Sequence, residues 1–191
     1  MKTTIVRIGL LLLTIIIFSS CSQINMTDQE AQALIVKTLN LPQNFRVAID
    51  TRNYERCSTM EREGYITVMG QGMWVAADHH LSVTEKGRIY YLGEGEKTWL
   101  MSNTLLFRTF DIDFDRIGGI AINKEQQTAT VRFSLKAINI TPVGRLLLNN
   151  IDNPKNGELL FKKFDTGWQL ASGQNKSGSE LVREIVSPIG N

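Results

Sequence analysis

The stretch 129–137 constrains the fold more than any other part of the chain. Ala129, Val131, Phe133, Leu135 and Ala137 alternate with Thr130, Arg132, Ser134 and Lys136. Apolar residues at period two send one face of a strand into a core and leave the other in water, as in an antiparallel sheet covered on one side. Phe110, Ile112 and Phe114 alternate in the same way with Asp111, Asp113 and Asp115. Residues 117–123 read as a further strand, and 123–127 as the polar turn that follows it. Ile138 and Ile140 break the alternation, which marks a bulge or the strand's end. Residues 158–164 and 168–171 read as a closing hairpin around Asp165-Thr166-Gly167. Region 98–171 is therefore expected to be an antiparallel sheet unit, with a long connection over 141–157 and a helical turn at 145–149.

The earlier part carries helical signals. Thr27-Asp28-Gln29-Glu30 fits a capping box, with Met26 and Ala31 at the staple positions. Ala31, Leu34, Ile35 and Leu39 then follow at helical spacing, and Asn40-Leu41-Pro42 ends the helix. Residues 45–49 read as a short extended segment. A second helix is expected over 51–63, with Tyr54, Cys57 and Met60 facing inward and Gly64 as its stop. Residues 65–69 and 81–84 read as the strands of a hairpin, and 84–92 as a capped short helix.

Helix, Glu63-Gly64-Tyr65-Ile66, a glycine-bearing hairpin, then Leu81-Ser82-Val83-Thr84-Glu85-Lys86-Gly87-Arg88 resembles the second half of a winged-helix domain. The resemblance covers 27–92. The closing strand of 98–171, entering as Gly-Trp after an aspartate turn, resembles small curved sheets of the cystatin-like or NTF2-like kind. The expected fold class is α+β: a small winged-helix-like helical unit, then a mostly antiparallel β-sheet unit. Residues 172–191 are expected as a polar tail, with one or two helical turns at 180–186.

The chain opens with Lys2 and Arg7, followed by an apolar run over residues 8–18 interrupted only by Gly9 and Thr14. A membrane-spanning helix needs about 20 apolar residues, and a run this short fits an export signal. Phe18-Ser19-Ser20-Cys21 follows, and resembles the lipobox of a bacterial lipoprotein, with Phe18 in place of the commoner Leu. The resemblance implies a signal peptide over 1–20, a tether over 21–26, and a mature N-terminus at Cys21 carrying diacylglyceryl and palmitate-type acyl chains. The membrane is then a partner through Cys21. Ser22, rather than Asp, implies an outer-membrane location in the cell envelope.

Without the signal the chain has 171 of its 191 residues, enough for one domain or two small ones. Lys2 and Arg7 belong to the signal, which leaves 19 basic residues against 19 acidic. The formal charge of +2 thus vanishes, and with it the argument for a nucleic-acid partner. Residues 27–92 carry 7 basic and 8 acidic residues, the wrong balance for neutralising phosphates. Cys21 is spent on lipid and Cys57 stands alone, so a buried, inert thiol is expected.

Asp111-x-Asp113-x-Asp115 begins like a calcium loop, but Arg116 stands where the turn needs Gly and Ile122 where a bidentate Glu is required. In a strand the three carboxylates form an acidic stripe: a solvated face, or a contact for a cation or cationic partner. Asp78-His79-His80 holds both histidines, and neighbours in a strand point to opposite faces, so they do not chelate one metal together. Trp74, between Met73 and Val75, is either packed under the hairpin or offered to a partner or a lipid surface. Trp168 reads as core. No GxSxG, P-loop or GxGxxG accompanies a suitable strand, so the sequence points away from an enzyme and names no cofactor or metal. Two functional readings follow. The first is a non-catalytic envelope binding or assembly module, with Trp74, Asp111, Asp113 and Asp115 as candidate contacts of a protein partner. The second is an envelope enzyme or small-ligand carrier, with a pocket in the concave face of the C-terminal sheet.

Overall fold

A computed structural model describes residues 24–70, 80–95, 103–171 and 177–186. The first helix, α1 (Asp28–Leu39), starts where the capping box places it. The Thr27 hydroxyl accepts from the Glu30 amide at 3.2 Å, and the Glu30 carboxylate accepts from the Thr27 amide at 2.9 Å. Ala31, Ile35 and Leu39 are fully buried, and Met26 packs into the same cluster. Asn40, in the left-handed region with φ 53°, ends the helix.

The chain then forms β1 (Gln43–Asp50), α2 (Tyr54–Arg62), β2 (Ile66–Met69) and β3 (His80–Val83). The short helix α3 (Glu85–Arg88) and the strand β4 (Tyr91–Glu94) follow. Two long strands come next, β5 (Thr104–Asn123) and β6 (Thr128–Ile138). The helix α4 (Pro142–Leu147), the hairpin strands β7 (Lys155–Phe164) and β8 (Gly167–Leu170), and the helix α5 (Gly178–Val186) complete the order. The fold class is α+β, with a curled antiparallel sheet in the order β1-β5-β6-β7-β8 and β4 also paired to β5. β2 and β3 form a separate two-stranded sheet.

This topology departs from two consecutive units. β1 and β4 come from the stretch expected to be winged-helix-like, yet both hydrogen-bond to β5 of the large sheet. Residues 91 and 92, expected to end the helix over 84–92, open β4 instead. That helix stops at Arg88, and Tyr91 pairs with Phe107. Residues 110–114 and 117–123, expected as two strands, belong to the single strand β5, kinked by extra residues. The pairing skips Thr109 against β1, and Asp115 and Gly118 against β6. Phe110 and Phe107 stand opposite Phe45 and Val47, so the kink at Thr109 keeps both phenylalanines on one face. The expected polar tail is also corrected. α5 docks through Leu181 and Val182, both buried, and Gly178 lies so close to Thr38 and Leu39 that a side chain would not fit.

Two apolar clusters result. One joins α1 and α5 to β5–β8 through Ile35, Phe133, Leu135, Phe161, Trp168 and Val182. The other joins α2, β1, β2, β3 and α4 through Ile49, Cys57, Met60, Ile66, Leu81 and Val143.

Candidate functional site

Cys21 and Trp74 lie outside the described residues. The three aspartates do not form an open stripe. Asp111 is buried, with its side chain 7% exposed. It accepts from Asn44 Nδ2 at 2.5 Å, Arg108 Nη2 at 2.6 Å and Asn139 Nδ2 at 2.9 Å. Burial pushes its pKa up, but the hydrogen bonds from Asn139, Asn44 and Arg108 outweigh that and hold it below the usual carboxylate value. Asp113 stands opposite Lys136 across the β5–β6 pair. Asp115 is the extra residue of a bulge; it accepts from Ser134 Oγ at 2.9 Å and has Lys136 Nζ at 3.6 Å. Asp111 and Asp115 thus already have partners, and Asp111 is a tie between β1, β5 and the end of β6 rather than a surface contact. No group of three or more His, Cys, Asp or Glu able to hold a metal occurs among the described residues.

Cys57 is buried on α2, its thiol donating to the Asp50 carbonyl at 2.9 Å. Burial, then the carboxylates of Asp50 and Glu61, push its pKa up to about 12. A thiol so protonated is a poor nucleophile at neutral pH. His80 is exposed at the start of β3, and His79 lies outside the described residues.

The structure brings together a group that the sequence reading passed over. An open cleft of about 550 Å³ runs between β1 and the start of α2. Arg46, Val47 and Ala48 line it from the strand, and Arg52, Asn53, Tyr54 and Arg56 from the turn and helix, with Asp50 between. Three arginines and one carboxylate thus share its lining. Arg52 holds that carboxylate, with Nη2 at 3.0 Å from Oδ2 and Nε at 3.3 Å from Oδ1. Burial raises the Asp50 pKa, and the side-chain and backbone hydrogen bonds of Arg52 bring it below the usual value. Tyr54, expected on the inner face of α2, is 58% exposed beside the cleft. Residues three apart on a helix drift by about 60° per step, so Cys57 and Met60 share the core while Tyr54 leaves it. The signal that was available is the run of Arg46, Arg52 and Arg56 around one tyrosine.

A second cleft, of about 480 Å³, lies on β5–β7 between Arg116, Arg132, Ser134, Asn156 and Glu158. Its arginines are balanced by Glu158 and by Asp115, which Arg116 approaches at 3.9 Å.

Family models, curated proteins and solved structures gave no match to this chain.

Proposed function

We propose that this chain is a bacterial lipoprotein, anchored in the cell envelope through acylated Cys21, whose folded part is a non-catalytic binding or assembly module. The observation that carries the reading is the order of basic residues, short apolar run and Phe18-Ser19-Ser20-Cys21. The start of the fold supports it, because Ile24 already packs on the core and Met26 is buried, directly after the proposed acylation site. Ser22 favours the outer membrane. Acyl chains contribute about 0.8 kcal/mol per buried methylene, so a multiply acylated Cys21 holds the body durably.

The interior favours surface recognition over a carrier's pocket. Phe133, Leu135 and Trp168 are buried against α1 and α5, in the space a pocket would use. Within this reading, α2, β2, β3 and α3 keep the helix-then-hairpin order of a winged-helix-like element. Its charge balance suits protein contact rather than DNA.

Labelling cells with a fatty-acid probe and fractionating them tests the anchor. Wild type is expected to be labelled and in the outer-membrane fraction, and Cys21→Ser to be neither. An unlabelled, unprocessed, cytosolic wild type would overturn the reading.

A further inference from the structure

We propose that the tip of the β7–β8 hairpin, led by Phe164 with Lys162 and Lys163, is the face on which the folded part rests on the lipid bilayer once Cys21 is acylated. The inference deepens the anchored-module reading and rests on it. Single exposed apolar side chains are ordinary on a protein surface. What sets Phe164 apart is its place.

The tether enters the fold at the same end. Ile24 and Met26 pack into the cluster that holds Trp168 of β8. α1 touches β8, and the Lys163 ammonium acts on the Glu30 carboxylate in the first turn of α1. The other end of α1 is held elsewhere: the Leu39 carbonyl accepts from the Gln43 side chain, and Gln43 pairs with Ile112 in the middle of β5. The helix therefore starts beside the hairpin and runs away from it. Cys21 lies at most about 18 Å of chain from Met26, so its acyl chains bring the bilayer to this end. The more exposed Ile89 and Leu92 belong to the segment that joins β5 at residues 105–108. The hairpin tip instead stands by the turn that follows β5, where the Lys163 amide donates to the Gln127 carbonyl at 2.8 Å. Residues 108–123 of β5 span up to about 50 Å, a longer path than the tether covers.

The tip has the chemistry of an interfacial contact. Leu160, Lys162 and Phe164 alternate along β7, share its outward face and are all exposed. Lys162 Nζ lies 5.8 Å from the Phe164 ring centre. On the inner side, Lys163 Nζ lies 5.3 Å from that of Trp168. Such a tip dips an aromatic ring into the headgroup boundary, while lysine stems lie along the apolar surface and lift their ammonium groups to the phosphates. Lys124, Lys162 and Lys163 at this end are offset by Asp28, Glu30, Glu125 and Asp165. The ring rather than net charge therefore makes the contact. One ring binds a bilayer weakly, but the acylated tether makes docking intramolecular, and weak affinity then suffices.

The test places the acylated chain, purified from cells, in vesicles of phosphatidylethanolamine and phosphatidylcholine. Some of the phosphatidylcholine carries a diazirine on its acyl chain, and light-induced crosslinks are mapped by mass spectrometry. Crosslinks are expected on residues 160–166, not on 88–92, and are expected to survive high salt. Phe164→Ser is expected to lower them about tenfold, the loss of one buried aromatic side chain. Phe164→Trp keeps a ring and is expected to keep them. Should Phe164→Ser fail to fold, Lys162→Glu, which sets a carboxylate against the phosphates, is expected to lower them too. Crosslinks concentrated on 88–92, equal crosslinking of Phe164→Ser, or a tip crosslinked to a second copy of the chain rather than to lipid would overturn the proposal. Fatty-acid labelling of the same preparation reports the anchor. Unlabelled Cys21 overturns both readings, and labelled Cys21 with an uncrosslinked tip overturns this one alone.

Discussion

Asp111 is surrounded by three donors, and that arrangement demands two acceptor oxygens. Asn44 gives its proton to Oδ1, and Arg108 and Asn139 give theirs to Oδ2. Asp111→Asn keeps the shape but turns one oxygen into an NH₂ group that meets a donor. A hydrogen bond to a charged group contributes about 1.5–3 kcal/mol, so the variant is expected to lose roughly 2–3 kcal/mol in urea unfolding. The pH dependence has a definite sign. The folded pKa of Asp111 is lowered, so its contribution is present above the unfolded value, about 3.9, and is lost as pH falls through the folded one. The wild type should therefore lose stability more steeply below about pH 4 than Asp111→Asn does. Equal slopes for the two proteins would mean that Asp111 is not the tie described.

At the scale of elements, α4 is fixed to the kink in β5. The Thr141 hydroxyl donates to the Arg108 carbonyl at 2.9 Å while accepting from the Gly144 amide at 3.1 Å, so one side chain caps the helix and grips the strand. Gly144 then lies directly on the Thr109 backbone, where any Cβ would collide with the Thr109 carbonyl oxygen. Gly144→Ala gains helix propensity but overfills a backbone contact that cannot rotate away. It is expected to destabilise by about 1–3 kcal/mol, seen as a lower midpoint in thermal unfolding. The last helix makes a separate prediction. A polar tail would be removable without loss, but α5 buries Leu181 and Val182. Ending the chain after Ala171 should therefore remove roughly 3 kcal/mol or more of stabilisation. In a chain this size that is a fall of about 6–12 °C in Tm. An unchanged Tm would restore the tail.

Across the whole molecule, what the sequence disclosed was local and what it concealed was long-range. The Thr27–Glu30 cap was legible because its donors and acceptors lie within four residues. The alternation of β6 was legible because period two needs no partner. The joining of β1 and β4 to β5 was not, because neither strand carries a residue that names its neighbour. The kinks at Thr109, Asp115 and Gly118 also hid the unity of β5 by breaking its alternation. The arginine cleft was concealed for the same reason, since it exists only once β1 is an edge. The proposed acylation site, Cys21, lies only a few residues before the buried start of the described fold. Four residues, 22–25, separate Cys21 from buried Met26. The five steps from Cys21 to Met26, at about 3.5 Å each, reach about 18 Å at most. An acylated Cys21 would then hold the body against the bilayer, with the tether shielded. A 12-residue Gly/Ser spacer inserted between Gln23 and Ile24 adds about 20 Å of flexible reach. In proteoliposomes, protease is expected to cut the spaced tether much faster than the native one and release a body beginning near Ile24. Equal cutting of the two would show that the native body already stands away from the membrane.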